Sequence, residues 1–250
     1  MRRIIGLGAL LWAVQSVQAG EVRVAVAANF TAPMQQIAPL FEQASGHKLS
    51  LSFGSTGKFY AQIKQGAPYD AFIAADTKTP QKLEGDGLTV PGSRFVYALG
   101  KLVLWSAQPG YVDSKGAVLR AGKFNKLAIA DPKLAPYGAA AQETLEAHGL
   151  WQVLQPKLVK GENITQTYQF AATGNAELGF IALSQITKAG KVSEGSWWIV
   201  PSHYYSPIEQ SAVMLSSAQD AAATNAFLAF LKGPQAAAVI RSYGYELPGQ

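Results

Sequence analysis

The sequence of 250 residues contains no cysteine, and this absence excludes several kinds of site. Disulfide bonds, metal sites built on thiolates and a cysteine nucleophile all require that residue. A lipid-modified cysteine, which would tether an exported chain to a membrane, is excluded as well. Histidine is scarce, since only His47, His148 and His203 occur and they are far apart. No H-x-x-x-H pair is present, so the sequence predicts no metal site.

Charge is also sparse, because charged residues make up 15% of the chain and apolar residues 48%. That balance is typical of a compact globular protein rather than a disordered one. The formal net charge is +5, but Lys and Arg are scattered without a basic run. We therefore expect no nucleic-acid partner.

Long hydrophobic runs are missing too, and the one apolar stretch at the start has another explanation. Arg2-Arg3 precedes the apolar segment Ile4–Val14, and residues 17–19 match a small-x-small cleavage site. The run of about 11 apolar residues is shorter than the roughly 20 that a membrane span needs. The pattern predicts a cleaved export signal over residues 1–19. Without a cysteine to carry a lipid, the expected product is a free periplasmic protein.

The rest of the chain, with about 230 residues, is long enough for one large domain or two lobes, and strand patterns alternate with helix patterns along it. Strands are predicted at Val22–Ala28, Lys48–Phe53, Ala71–Ala75, Lys101–Trp105, Leu127–Ala130, Leu178–Leu183, Trp197–Val200 and Gln210–Leu215. One helix is predicted from about Pro33 to Gly46, a second carries Phe59 and Ile63 and ends at Gly66, and a third lies near Pro80–Leu83. Further helices are predicted over residues 139–148, 164–172, 220–231 and 234–243. This alternation indicates an α/β fold with a mostly parallel sheet and helices on both faces.

The loops that follow the strands carry neutral hydrogen-bond donors at the starts of helices. Ligands bind beyond the carboxyl ends of strands in open α/β sheets, and helix starts favour anions. The alternative is that these residues only cap their helices. The loop positions are Asn29, Ser55-Thr56, Ala75-Asp76, Tyr137 and the turn before Ile164.

Catalytic and nucleotide-binding motifs are absent. Gly54–Lys58 resembles a phosphate loop, but Ser52 stands where the first glycine is needed and Phe59 where Ser or Thr is needed. No G-x-S-x-G elbow occurs. We expect Asp76 to cap the next helix and the pair Trp197-Trp198 to pack between lobes.

Six segments taken together are similar to the periplasmic molybdate-binding proteins of ABC importers. The similarity runs in order across essentially the whole chain after the signal. The segments are Val24–Thr31, Ser52–Ile63, Gly66–Asp76, Ala130–Pro132 with Pro136–Gly138, Leu178–Phe180 and Leu231–Ala236.

The resemblance implies a two-lobed type II periplasmic-binding-protein fold with the ligand in the cleft between the lobes. Lobe 1 would hold residues 20–100 plus 206–250, and lobe 2 residues 101–205. The implied ligand is molybdate or tungstate, delivered to a membrane permease by a monomer. It implies no cofactor, no bound metal cation and no catalytic residue.

The resemblance also implies a ligand set of neutral donors. Asn29 aligns with a residue whose side chain and N–H bind the oxyanion, although many members have Ser there. Tyr137 would supply a hydroxyl that replaces the Tyr found in some members where this chain has Ala182. The implied set is Ala28, Asn29, Ser55, Thr56, Ala75, Tyr137 and Ile164.

Two alternatives stay open at this point. One is a binder of a different tetrahedral oxyanion, such as sulfate, phosphate or chromate. The other is a periplasmic enzyme on the same fold, which would need ionisable groups in the cleft beyond Asp76 and Tyr137. The ligand set predicts that Asn29→Ala and Tyr137→Phe each weaken binding while the fold survives.

Overall fold

The computed structural model describes residues 19–192 and 195–249. The predicted export signal therefore lies outside the described residues, apart from Ala19. The described chain forms two five-stranded sheets, each flanked by helices, and a small two-stranded hairpin. None of the helices in these ranges combines the length and apolar character of a membrane span.

The strands and helices follow one another in the alternating order that the sequence predicts. The strands are β1 (Glu21–Ala27), β2 (Lys48–Gly54), β3 (Ala71–Ile73), β4 (Phe95–Gly100), β5 (Leu102–Ser106), β6 (Leu127–Ala130), β7 (Leu158–Gly161), β8 (Leu178–Ala182), β9 (Thr187–Lys188), β10 (Lys191–Val192), β11 (Ser196–Ile199) and β12 (Ile208–Met214). The α-helices are α1 (Thr31–Ser45), α2 (Thr56–Lys64), α3 (Lys78–Gly85), α4 (Ala117–Ala121), α5 (Pro136–Ala147), α6 (Trp151–Leu154), α7 (Ile164–Ala172), α8 (Ala221–Leu231) and α9 (Pro234–Ser242).

Each large sheet is mostly parallel and contains one reversed strand. The first sheet has the order β2-β1-β3-β12-β4, in which β12 is antiparallel to both neighbours. The second has the order β11-β5-β8-β6-β7, in which β5 is the reversed strand. We call the first sheet with α1–α3, α8 and α9 lobe 1, and the second sheet with α4–α7 lobe 2.

The chain passes between the lobes twice, and the two passages lie side by side. β4 ends at Gly100 and β5 begins at Leu102, whereas β12 follows the return from lobe 2. Gly100 and Ile208 are paired across the two passages. Each reversed strand is thus the first strand after a crossing. The lobe limits given above, 20–100 plus 206–250 and 101–205, remain a prediction.

The core of lobe 1 follows from the alternation of side chains along its strands. Val24 packs with Met34 and Ile37 of α1 on one face of the sheet. Ala25, the next residue, packs with Phe59 of α2 on the opposite face. A strand buried on both faces reads as a continuous apolar run, which is how residues Val24–Ala27 of β1 appear in the sequence.

The strands β4, β7, β9 and β10 and the helices α4 and α6 were not predicted. Three details that were predicted also differ from the structure. The α5 helix begins at Pro136 rather than at 139, because proline is well suited to a first helical position. Ala28 belongs to a short 3-10 turn over residues 28–30 rather than to β1. The pair Trp197-Trp198 lies on β11 and packs within lobe 2, so the expectation that it packs between lobes was wrong.

Candidate functional site

A small cavity lies between the lobes, at the carboxyl ends of the strands. All seven residues of the predicted ligand set line it. The structure therefore brings together loops that are far apart in the sequence. The lining residues are Ala27, Ala28, Asn29, Gly54, Ser55, Thr56, Ala75, Ala135, Pro136, Tyr137, Asn163 and Ile164.

Four helix starts face this cavity, two from each lobe. They are the 3-10 turn at Ala28, α2 at Thr56, α5 at Pro136 and α7 at Ile164. The first N–H groups of a helix lack a partner within the helix and form the positive end of its dipole. No Asp, Glu, Lys or Arg is among the described lining residues. The cavity thus favours an anion without containing a charged side chain.

Two hydroxyl groups of lobe 1 reach the cavity from the start of α2. Ser55 caps this helix, since its Oγ accepts the N–H of Lys58 at 3.3 Å. Thr56 Oγ1 accepts the N–H of Ala75 at 3.1 Å. Because each oxygen already accepts from the backbone, its own O–H hydrogen is available to a ligand. The Ala75 N–H has a protein partner here, and it acts on the site by orienting the Thr56 hydroxyl.

Asn29 and Tyr137 come from opposite lobes and are joined beneath the cavity. The Asn29 Nδ2 donates to Gln210 Oε1 at 2.7 Å and to the Tyr245 hydroxyl at 2.9 Å. Both hydrogens of this amide are therefore engaged with the protein, which leaves the backbone N–H of Asn29, in the first 3-10 turn, to face a ligand. Gln210 Nε2 donates to the Tyr137 hydroxyl at 3.2 Å.

The tyrosines under the cavity are neutral donors at physiological pH. Burial raises the pKa of Tyr137 and of Tyr97 well above the usual value for tyrosine. Burial raises the pKa of Tyr245 to about 12. Each hydroxyl therefore keeps its hydrogen across the neutral range.

Asp76 stands apart from the cavity and has the helix-capping role expected from the sequence. Its Oδ1 accepts the N–H of Thr79 at 2.9 Å in the first turn of α3. Burial raises the pKa of Asp76, and the hydrogen bonds from Thr79 offset part of that increase. The side chain is thus explained by capping and is not one of the lining residues.

Contacts across the rim show that the lobes are closed over the cavity. The N–H of Gly57 in lobe 1 donates to the carbonyl of Leu134 in lobe 2 at 2.9 Å. Lys58 Nζ lies 2.6 Å from Glu162 Oε2, and both side chains are solvent-exposed. Lys58 is thus a rim residue and not a cavity residue.

Several lining residues were absent from the predicted ligand set. Asn163 caps α7, since its Oδ1 accepts the N–H of Gln166 at 3.0 Å. Its position directly before a predicted helix was the available signal. Pro136 had a similar signal as a first helical residue. Gln210, which lies beneath the cavity and does not line it, had no such signal, because its polar partners lie on other elements.

The described residues offer donors for a small anion, but no metal-binding group. Within residues 19–192 and 195–249, no three His, Asp or Glu side chains are clustered as metal ligands. The chemistry that the cavity supports is the binding of an anion by neutral donors and helix starts.

Known proteins match this chain over nearly its whole length. The model of the family described as "Bacterial extracellular solute-binding protein" matches residues 22–246. The molybdate-binding protein ModA of Azotobacter vinelandii is 57% identical over 246 residues, which are 98% of this chain and 97% of that protein. ModA of Rhodobacter capsulatus is 53% identical over 227 residues, which are 91% of this chain and 88% of that protein.

The fold matches as well. The solved structure of the Azotobacter vinelandii periplasmic molybdate-binding protein has a TM-score of 0.89 and 44% sequence identity, covering 91% of this chain and 99% of that one. The two lobes with one reversed strand in each sheet therefore form a type II periplasmic-binding-protein fold. The chain belongs to the bacterial extracellular solute-binding protein family.

Proposed function

We propose that this protein captures molybdate, and also tungstate, and delivers it to the membrane permease of an ABC importer. The observation that carries the proposal is a closed cavity lined by neutral donors and four helix starts, without a charged side chain. The relatives named as molybdate-binding proteins, at 57% and 53% identity, support the choice of ligand.

Neutral donors suit a doubly charged oxyanion that is taken out of water. A buried charge is costly unless its oxygens are hydrogen-bonded, and hydroxyl and backbone N–H groups provide those bonds. A carboxylate in the cavity would repel the anion. A protonated oxyanion carries an O–H group that needs an acceptor, and the cavity presents donors to the ligand. This disfavours hydrogen phosphate.

Binding rather than catalysis is the function that we propose. A nucleophilic enzyme needs a nucleophile and a base within hydrogen-bond reach, and the described lining residues contain no such base. The alternative of a sulfate, phosphate or chromate binder receives no support from the two ModA relatives described above.

We further propose that the working form is a free periplasmic monomer without a cofactor or a nucleic-acid partner. The export signal over residues 1–19 and the absence of cysteine support that location. Closure of two lobes on a ligand is the usual hinge behaviour of such proteins, and the permease would recognise the closed form.

Thermal unfolding with a panel of anions tests the ligand. The chain from residue 20 onward is heated with molybdate, tungstate, sulfate or phosphate at equal concentration, with sodium chloride matching the ionic strength. A ligand present at 100 times its dissociation constant adds about 2.7 kcal/mol of stability. We expect molybdate and tungstate to raise Tm. If sulfate or phosphate raises Tm and molybdate does not, the assignment of molybdate as the ligand is wrong.

A further inference from the structure

Gln210, a residue outside the predicted ligand set, lies directly beneath the cavity. It is on β12 and is fully buried. Its Oε1 accepts from Asn29 Nδ2 at 2.7 Å and from the Tyr97 hydroxyl at 2.9 Å. Its Nε2 donates to the Tyr137 hydroxyl at 3.2 Å. One carboxamide thus contacts two of the residues that line the cavity.

These contacts join the two lobes next to the crossing segments. Asn29 and Gln210 are in lobe 1, whereas Tyr137 reaches across from the first turn of α5 in lobe 2. Gly100, where the chain leaves lobe 1, makes room for the contact. A Cβ at Gly100 would overlap the Tyr137 hydroxyl and lie 2.7 Å from Gln210 Nε2.

The chemistry of the carboxamide sets the direction of the Tyr137 hydroxyl. An Nε2 group only donates, so the Tyr137 oxygen must accept from Gln210. The single hydrogen of that hydroxyl is then free to point elsewhere. The hydroxyl of Tyr245, which lies nearby, already has three partners at 2.9 Å, namely Asn29 Nδ2, the Asn29 carbonyl and Ser184 Oγ. The Tyr137 and Tyr245 hydroxyls also interact with each other, so the Tyr137 hydrogen has two directions, the Tyr245 oxygen and the cavity. A charged oxyanion in the cavity is the stronger acceptor of the two.

We infer that Gln210 is a positioning residue for the oxyanion, which directs the Tyr137 O–H into the cavity when the lobes are closed. The inference rests on the proposed function. A residue at 210 that only accepts would draw the Tyr137 hydrogen away and present oxygen lone pairs to the anion.

A double-mutant cycle on the mature chain tests this role. The molybdate Kd is measured by titration calorimetry for wild type, Gln210→Met, Tyr137→Phe and the double variant. We expect Gln210→Met to raise Kd about tenfold in the wild-type background and less than about threefold when Tyr137 is already Phe. Coupling of that kind is expected only if Gln210 acts through the Tyr137 hydroxyl.

Two further variants serve as a control and as a replacement for Gln210→Met. Ser211→Ala removes a buried hydroxyl from the same strand that has no partner, so its Kd should equal that of wild type. Gln210→Leu, which adds no charge, supplies a second cycle if Gln210→Met does not fold, and it should raise Kd more in the wild-type background than in the Tyr137→Phe background.

The outcomes separate this inference from the proposed function. Equal fold-changes in both backgrounds, or an unchanged Kd in Gln210→Met, would overturn the positioning role while molybdate binding stands. A wild-type protein that binds no molybdate would overturn the proposed function, and the inference with it.

Discussion

Three hydroxyl oxygens at the cavity, those of Ser55, Thr56 and Tyr137, each accept a hydrogen bond from the protein. The donors are the N–H of Lys58, the N–H of Ala75 and Nε2 of Gln210. A hydroxyl has one hydrogen, and an oxygen that already accepts can direct that hydrogen to a ligand. At the scale of single residues, these three accepted bonds thus orient each O–H group toward the anion.

Removing the Tyr137 hydroxyl tests this arrangement. Hydrogen bonds to charged groups contribute about 1.5–3 kcal/mol, so Tyr137→Phe should raise the molybdate Kd roughly 10- to 100-fold. The unliganded protein should lose only about 1 kcal/mol of unfolding free energy, because Gln210 Nε2 loses a partner. Calorimetry and thermal unfolding give the two values.

Tyr205→Phe is the matched control for this substitution. Its hydroxyl accepts the N–H of Leu102 at 3.2 Å and does not line the cavity. We expect its Kd to equal that of wild type. If Tyr137→Phe also binds like wild type, the Tyr137 hydroxyl is not a ligand.

Thr56 allows a paired substitution that separates the hydroxyl from the methyl group. Thr56→Val removes the O–H and leaves the Ala75 N–H without its acceptor, so Kd should rise at least about tenfold. Thr56→Ser keeps the hydroxyl and should stay within about threefold of wild type. Equal affinity in both variants would count against a bond from the Thr56 hydroxyl to the anion.

Much of the site could be predicted from the sequence, because strand ends and helix starts leave local signals. The pattern of neutral donors pointed to loops that the structure places around one cavity. The network beneath them could not be predicted in that way. Asn29 lies 181 residues from Gln210 and 216 from Tyr245, so no local spacing relates them.

At the scale of elements, the start of α2 makes a close approach to lobe 2. The N–H of Gly57 donates to the carbonyl of Leu134 across the rim. A Cβ at Gly57 would lie 3.0 Å from the Leu134 oxygen and 3.1 Å from its Cα. Glycine at this position therefore eases the close approach of the closed form and is not needed by the α2 helix itself.

Gly57→Ala should weaken binding without weakening the unliganded protein. The added methyl group opposes closure, and a penalty of about 1.4 kcal/mol would raise the molybdate Kd about tenfold. The open form avoids the contact, and Ala favours a helix by about 1 kcal/mol over Gly. Gly85→Ala is the control, since a Cβ there meets no atom within 4 Å. Unchanged affinity in Gly57→Ala would contradict a closed binding form.

A buried ion pair ties β1, β3 and the start of α8 together. Asp70 accepts from the backbone N–H of Arg23 at 2.7 Å, from its guanidinium at 2.9 and 3.0 Å, and from the N–H of Gln219 at 2.8 Å. Burial acts to raise the pKa of Asp70, but the bonds from Arg23 and Gln219 outweigh it and lower that pKa. The pair therefore stabilises the fold above the unfolded pKa of about 3.9.

Asp70→Asn should lower the unfolding free energy by about 3 kcal/mol at neutral pH. This loss should shrink as pH falls below about 4, because the wild-type carboxylate then takes up its proton. Lys48→Gln, which breaks the exposed pair with Glu42, should cost no more than about 1 kcal/mol. Urea unfolding at several pH values gives these energies, and a pH-independent difference would rule out the charge as the cause.

The element prediction failed where the tertiary fold, not local pattern, sets the boundary. β4 was not predicted, because Phe95–Trp105 is an almost continuous apolar run that the crossing at Gly100 divides between two sheets. β7 was not predicted either, since Leu158 and Val159 are only partly buried, Lys160 is exposed, and the four residues show no alternation. The start of α5 at Pro136 did have a local signal, because proline is favoured at the first position of a helix.

At the scale of the whole molecule, two paired crossing strands join lobes that close on a neutral cavity. The pairing of Gly100 with Ile208 places both passages at one side of the cleft. A hinge of this kind lets the lobes separate without breaking either sheet. The charge of the ligand is then stabilised by hydroxyl and backbone N–H groups, whose protonation does not change near neutral pH.

Affinity should therefore be independent of pH between about pH 6 and about pH 9. Burial raises the pKa of Tyr137 well above its usual value, so its O–H is lost only as pH rises through that higher pKa. Above that point the phenolate would repel the anion, and binding should fall. Calorimetry across this range in buffers of matched ionic strength checks the expectation, and a step near pH 6.5 would indicate a titrating group at the site.

The most direct test of the account is a crystal structure grown with molybdate, with the metal located by its anomalous scattering. We predict one strong peak in the cavity, with oxyanion oxygens within about 3.1 Å of the hydroxyls of Ser55, Thr56 and Tyr137. We also predict the N–H of Ile164 at bonding distance and no carboxylate or ammonium group in contact. A peak outside the cavity, or an anion held by charged side chains, would contradict the account.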